Sequence, residues 1–65
     1  MQRNCLQEIM YEKHISYRRL AQKTGVSVGQ LYNIANNLSD PTQTTMIAIA
    51  RGLRMQVTEI FNLNY

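Results

Sequence analysis

The sequence has no tryptophan and only one cysteine, one proline and one histidine. A single cysteine cannot close an intramolecular disulfide or build a cysteine-based metal cage. With no second histidine, His14 is expected at a helix C-terminus or on the surface rather than as a ligand. No apolar run approaches the roughly 20 residues of a membrane span, and no signal-peptide pattern opens the chain. These absences predict a cytoplasmic protein without metal or disulfide.

Acidic residues are also scarce, numbering four in the chain. Together with the lone histidine and cysteine they form no recognisable nucleophile–base or metal-ligand arrangement. No glycine-rich phosphate loop follows a strand, and no strand is evident. The sequence therefore argues against an enzyme, and we expect no catalytic residues, no cofactor and no small-molecule ligand.

The composition is that of a small globular domain, with 45% apolar and 17% charged residues. A length of 65 residues predicts a single domain over residues 1–65. Because a core of this size is marginal, a homodimer is a reasonable expectation. The net charge of +3 and the pI of about 9.4 suit a polyanionic partner, although many proteins without one match these values.

The most informative stretch runs from Ser16 to Asn37 and contains two short amphipathic segments joined by residues 24–27. Gly25 sits where the first segment must end, because glycine enters the left-handed region without a Cβ penalty. Ser27 and Gln30 have the spacing of a capping box, so a new helix begins almost at once. Two helices joined by so short a turn must cross steeply. The stretch predicts a helix-turn-helix.

The second of these helices separates into two faces when it is projected at about 100° per residue. One face carries the apolar anchor of Leu31, Ile34 and Ala35. The opposite face carries no charge and consists of Val28, Gly29, Tyr32, Asn33 and Asn36. An asparagine side chain can pair bidentately with adenine, and a valine can contact a thymine methyl group, so this face suits base edges.

The first helix of the pair is expected from Tyr17 to about Thr24, and its first turn carries Arg18 and Arg19, where the helix dipole disfavours cations. A DNA phosphate would satisfy both the arginines and the exposed N–H groups of that helix end. The alternative is that the arginines only solubilise the surface. We favour phosphate contact for Arg18, and for Arg19 the two interpretations are equal.

The remaining segments predict three more helices around this pair. Asn4 is a plausible cap for a helix from about Cys5 to Lys13. Thr42 should cap a fourth helix after Pro41, and the last helix should run from about Val57 to Asn62. The fourth helix has an apolar stripe at helical spacing, formed by Met46, Ile49, Ala50 and Leu53.

Several apolar residues fall outside these stripes. Ile47 lies off the stripe of the fourth helix and is a candidate interface residue. Leu63 and Tyr65 either pack between two copies of the chain or belong to a frayed terminus. Arg51 and Arg54 are explained by the helix dipole, and we assign them no DNA role.

The helix-turn-helix stretch resembles the phage repressor and Cro family, also called the XRE family. The resemblance rests on S-x-x-x-L-x-x-I-x-N-N after L-A-x-x-x-G-V-S. The later P-T-x-x-x-M-x-x-I-A-x-x-L and V-T-E-I-F stretches are similar to the fourth and fifth helices of that family. The resemblance implies an all-α, compact five-helix domain of the lambda-repressor-like type, with helices 2 and 3 as the helix-turn-helix.

The chain departs from this family at several positions. Tyr17 replaces a frequent glutamine, and Gly29 replaces a polar base-reading residue, which either forfeits a contact or permits close approach to DNA. Met10 and Ala35 stand where many members have an arginine–glutamate pair, which we interpret as repacking of the same contact. Asn37 replaces the usual glycine, and asparagine is the next best residue for a left-handed conformation.

The resemblance implies a sequence-specific regulator that binds double-stranded DNA, of phage, prophage or bacterial origin. We expect Val28, Tyr32 and Asn33 to face bases, with Gly29 close to the groove. The expected backbone contacts are Tyr17, Arg18, Ser27 and Asn36, and Ser39 is a further candidate. The alternative is a protein-interaction module on the same fold, such as an antitoxin or an adaptor, which the weak basicity and the uncharged helix face would suit.

Overall fold

The computed structural model describes residues 3–62 and consists of five helices with one short strand pair. The helices are α1 (Leu6–Lys13), α2 (Tyr17–Thr24), α3 (Val28–Ala35), α4 (Gln43–Leu53) and α5 (Val57–Ile60). The strands are β1 (Arg3–Asn4) and β2 (Phe61–Asn62). The expected all-α fold with five helices is confirmed. Leu63 and Tyr65, expected in a dimer contact or a frayed terminus, lie outside the described residues.

Three helices begin at a hydroxyl side chain, and the sequence predicts two of these caps, Ser27 and Thr42. The Oγ atom of Ser16 accepts from Arg19 N–H at 3.1 Å, and the Oγ atom of Ser27 accepts from Gln30 N–H at 3.2 Å. Thr42 makes the equivalent bond at the start of α4. Each cap satisfies an N–H group that has no partner inside its helix and is worth about 1 kcal/mol.

Three helices are followed, within two residues, by a non-glycine residue with a left-handed backbone. These residues are His14 (φ 56°), Asn37 (φ 58°) and Arg54 (φ 56°). After α3, Asn37 N–H donates to Ile34 O and Leu38 N–H donates to Asn33 O, which is the Schellman pattern. The same pattern closes α1 and α4. The structure thus confirms the expected left-handed conformation of Asn37 and the helix-end position of His14.

The C-terminal segment differs from the expectation that the last helix reaches Asn62. Helix α5 ends at Ile60, and Phe61 is extended with φ −112° and ψ 127°. Phe61 pairs antiparallel with Asn4, and Cys5 N–H donates to Ile60 O at 2.7 Å. The reason is non-local, because the backbone groups of Phe61 find partners in β1 and its side chain is buried there.

The core is formed by the apolar stripes of the helices, and α2 packs against both α3 and α4. The predicted stripe of α4, from Met46 to Leu53, is buried. Met10 and Ala35, which replace the charged pair of related proteins, are both buried in this core. Among residues 3–62, no helix has the length and apolar character required to cross a lipid bilayer.

Candidate nucleic-acid interface

The turn between α2 and α3 is fixed by a local hydrogen-bond network. Gly25 has a φ of 79° and donates its N–H to Ala21 O at 2.8 Å. Thr24 Oγ1 donates to Leu20 O at 2.8 Å and accepts from Val26 N–H at 3.1 Å. Val26, within this turn, is buried in the core. The turn and the burial of Val26 therefore contribute to the relative orientation of α2 and α3, which also pack directly against each other.

The two faces of α3 separate as the sequence predicts. Leu31, Ile34 and Ala35 are buried. On the other side Val28 is 46% exposed and Tyr32 is 50% exposed. Gly29 and Asn33 are also exposed. The domain thus presents the uncharged side of α3 to solvent.

Gly29 lies in open space on this surface. A Cβ atom built at Gly29 would have no neighbouring heavy atom within 4 Å, leaving aside adjacent residues and the backbone of its own helix. The fold therefore does not require a glycine at this position. Any requirement for glycine would have to come from a molecule that approaches α3 from outside.

Tyr32 is held by an aromatic contact with Tyr17, the first residue of α2. The two rings meet edge to face, with centroids 5.8 Å apart and an interplanar angle of 61°. Tyr17 is half-buried and packs against the core, whereas Tyr32 is exposed. The sequence suggested Tyr32 as a base-reading residue, and it did not predict the contact with Tyr17. This contact restricts the rotamers open to Tyr32. It also connects the first turn of α2 with the exposed face of α3.

The side chain of Asn36 is engaged within the protein at the end of α3. Asn36 Nδ2 donates to Tyr32 O at 2.9 Å, and Asn36 Oδ1 accepts from Gln7 Nε2 at 3.3 Å. Asn36 is half-buried and occupies the C-cap position. The amide group still has one hydrogen that these two bonds do not use. A phosphate contact by Asn36 would therefore add to its role in ending the helix.

The first turn of α2 carries the local positive charge. Arg18 and Arg19 are both exposed there. Between residues 16 and 37 the sequence contains three basic residues, the third being Lys23, and no acidic residue. This sign asymmetry makes the helix-turn-helix the basic part of the surface and favours a polyanion near α3.

Asn4 also makes a contact with α3 that the sequence did not predict. The N-cap of α1 is Cys5 rather than the expected Asn4, because α1 begins at Leu6, and Asn4 Oδ1 accepts from Leu6 N–H at 3.1 Å from one residue further out. Its Nδ2 atom, however, donates to Ile34 O at 2.9 Å, in the last turn of α3. No local pattern signals this contact, because it joins residues that are far apart in sequence.

Within residues 3–62 no group of three or more histidine, cysteine, aspartate or glutamate residues is arranged to hold a metal ion.

Comparison with known proteins agrees with this arrangement. The family model described as the Cro/C1-type HTH DNA-binding domain matches residues 5–64. The comparison with curated proteins gave no match. Because the family match spans nearly the whole chain, including α2, the turn and α3, this protein belongs to the family of Cro/C1-type helix-turn-helix DNA-binding domains.

Proposed function

We propose that the protein is a transcriptional regulator that binds double-stranded DNA sequence-specifically as a homodimer. The observation that carries this proposal is the solvent-exposed, uncharged face of α3 beside the basic first turn of α2. A protein of this kind positions itself through phosphates and reads sequence through base edges. The two surfaces supply these two kinds of contact side by side.

Base reading is assigned to three residues of α3. Asn33 offers an amide that matches the N6 and N7 edge of adenine, and Val28 offers methyl groups that suit a thymine methyl. Tyr32 presents an exposed ring whose direction is limited by Tyr17. Gly29 lies between these groups and, having no side chain, allows the backbone of α3 to approach the floor of the major groove.

Phosphate contacts are assigned to residues at the edges of this face. Arg18 supplies charge at the start of α2, and Tyr17 supplies a hydroxyl group. The Ser27 oxygen already accepts from Gln30 N–H, so its own hydroxyl hydrogen remains available to a phosphate. Asn36 contributes its remaining amide hydrogen.

A dimer is proposed because single base-reading helices recognise short sites. In helix-turn-helix dimers the recognition helices lie about 34 Å apart, one turn of DNA, and the operator is roughly palindromic. Two exposed apolar residues support an interface, namely Leu38 at 64% and Ile47 at 39% exposure. Leu38 directly follows the left-handed residue at the end of α3. Ile15 and Met55 hold the same position after α1 and α4, and both pack against the core, whereas Leu38 is exposed. We propose residues 1–65 as one domain acting in the cytoplasm.

Selection of bound sequences from a random pool of duplex DNA tests the proposal directly. We expect a preferred, roughly palindromic site whose half-sites lie about one helical turn apart. A pool that yields no preferred sequence would contradict sequence-specific binding, and a single half-site would contradict the dimer. A salt titration then separates this function from a protein-interaction module. DNA binding weakens steeply as salt rises, whereas an apolar protein interface barely responds.

A further inference from the structure

The last turn of α3 is bound by two side chains from the N-terminal part of the chain. Asn4 Nδ2 donates to Ile34 O at 2.9 Å and lies 3.3 Å from Asn37 Oδ1. Gln7 Nε2 donates to Asn36 Oδ1 at 3.3 Å. The end of the base-reading helix and the left-handed residue after it are therefore attached to the segment that begins α1.

Asn4 is itself held from its other side. Its backbone pairs with Phe61 in the strand pair, and its Oδ1 atom accepts from Leu6 N–H at 3.1 Å. The next residue, Cys5, donates its N–H to Ile60 O at 2.7 Å. Asn4 is half-buried, and its side chain has three protein partners. It connects the strand pair, the start of α1 and the end of α3.

We propose that Asn4 is a positioning residue for DNA recognition, fixing the C-terminal turn of α3 to the paired terminal strands. This inference rests on the proposed function, since it assigns Asn4 to the same base-reading helix. When Asn4 is intact, α3 meets the groove already ordered. Without Asn4, the end of α3 must be ordered when the base contacts form, and that ordering reduces affinity.

The free energy needed to order the end of α3 reduces the affinity for the specific site and not the non-specific affinity. A non-specific complex depends mainly on phosphate contacts and requires no exact register of α3 against base edges. Loss of Asn4 therefore lowers the ratio of specific to non-specific affinity. A residue that contacted phosphate directly would instead weaken binding to every sequence and reduce the salt slope.

Asn4→Ser provides the test, because serine keeps a hydroxyl that can cap Leu6 N–H but is too short to reach Ile34 O. The change is neutral in charge, so the salt slope of non-specific binding should not move. Binding to the selected operator should fall by up to about tenfold, because the ordering cost cannot exceed the stabilisation that one to two lost hydrogen bonds gave the end of α3, while binding to unrelated DNA changes less than about twofold. Amide exchange of Leu38, which donates to Asn33 O, should accelerate relative to amides of α2 and α4.

Two further variants complete the experiment. Gln7→Met preserves length and charge but removes the donor to Asn36, and should show a smaller loss of operator affinity in the same direction. Ile49→Val, in the buried part of α4, controls for a general loss of stability and should leave the affinity ratio unchanged. Should Asn4→Ser fail to fold, Asn4→Asp takes its place in the comparison of operator and unrelated DNA, because aspartate keeps the acceptor for Leu6 N–H and has no amide donor for Ile34 O.

The outcomes separate this proposal from the proposed function. Unchanged operator affinity in Asn4→Ser and Gln7→Met, or an equal loss on all DNA with a lower salt slope, would overturn the positioning role. If the unmodified protein selects no DNA sequence at all, the proposed function fails first. Faster exchange at Leu38 in Asn4→Ser would then still show the attachment of α3 to Asn4, without a role in recognition.

Discussion

Gly52 of α4 lies so close to Thr24 of α2 that a Cβ atom at residue 52 would be 2.5 Å from Thr24 Cγ2. Thr24 cannot easily turn away, because its Oγ1 atom bonds Leu20 O and Val26 N–H. The glycine therefore permits α4 to pack closely against the end of α2. This packing supports the turn that orients α3.

Gly52→Ala should destabilise the domain although alanine is the better helix former. Overpacking of this kind typically costs about 1 to 3 kcal/mol, which exceeds the gain in helix propensity of about 1 kcal/mol when the neighbour is fixed. Urea unfolding followed by circular dichroism measures the change. Thr24→Ser removes Cγ2 but keeps the hydroxyl, so it should relieve the penalty in the double variant. A Gly52→Ala protein more stable than the original would show that Thr24 yields easily.

Gly29→Ala is the matched test on the exposed face of α3. A side chain here meets open space, so the free energy of unfolding should rise by up to about 1 kcal/mol. Operator affinity should nevertheless fall, because a Cβ group separates the backbone from the groove floor. Binding measured by fluorescence anisotropy should decline further for larger side chains. If Gly29→Gln binds the operator more tightly, the glycine only forfeits a contact and close approach is excluded.

Two substitutions at Tyr17 distinguish the contribution of its hydroxyl group from that of its ring. Tyr17→Phe preserves the edge contact with Tyr32, so stability should change little. Affinity for all DNA should fall about twofold to tenfold if the hydroxyl bonds a phosphate. Tyr17→Leu also removes the ring contact, worth about 0.5 to 1.5 kcal/mol, and should relax the preference at the base that Tyr32 reads. Identical effects of both variants would exclude a role for the ring contact in specificity.

Asn33 and Arg18 should give opposite signatures in a comparison of operator and unrelated DNA. Asn33→Ala should cost about 1 to 3 kcal/mol on the operator and relax preference at one base pair. Arg18→Ala should weaken all DNA alike and lower the salt slope by about one unit. An equal loss on every sequence for Asn33→Ala would make Asn33 a backbone contact. An unchanged slope for Arg18→Ala would remove it from the phosphate contacts.

His14→Gly should stabilise the protein without altering DNA binding. His14 has a left-handed backbone, which costs an L-residue with a Cβ about 1 to 2 kcal/mol, while glycine loses only about 0.5 to 1 kcal/mol in chain entropy. The expected net gain is therefore about 0.5 to 1 kcal/mol, measured by urea unfolding. His14→Ala retains the Cβ atom and serves as the control. A gain of equal size in both variants would show that the histidine ring, not the backbone, is unfavourable.

The features predictable from sequence are those that local chemistry decides. Ser27 and Thr42 cap helices because a hydroxyl at that position meets a free N–H group three residues on. Gly25 and Asn37 adopt left-handed backbones at helix ends because glycine has no Cβ penalty there and asparagine is the next best residue. The exposed face of α3 follows from the period of the helix alone.

The features that sequence analysis missed are decided by contacts between distant residues. Phe61 has the spacing of a helical residue, but its backbone pairs with Asn4 and becomes a strand. The closeness of Gly52 to Thr24 depends on how α2 and α4 cross, which no local pattern encodes. The ring contact between Tyr17 and Tyr32 likewise depends on the angle between two helices.

The pairing of Asn4 with Phe61 also has a consequence for the order of folding. The contact closes a loop that contains nearly the whole chain, so its loop-closure entropy cost exceeds that of any turn in the fold. We expect it to form after α2, α3 and α4 have collapsed, and to open first in native-state fluctuations. Each opening would release Asn4 and with it the end of α3. The C-terminal turn of α3 would thus open many times for each time that the whole domain unfolds.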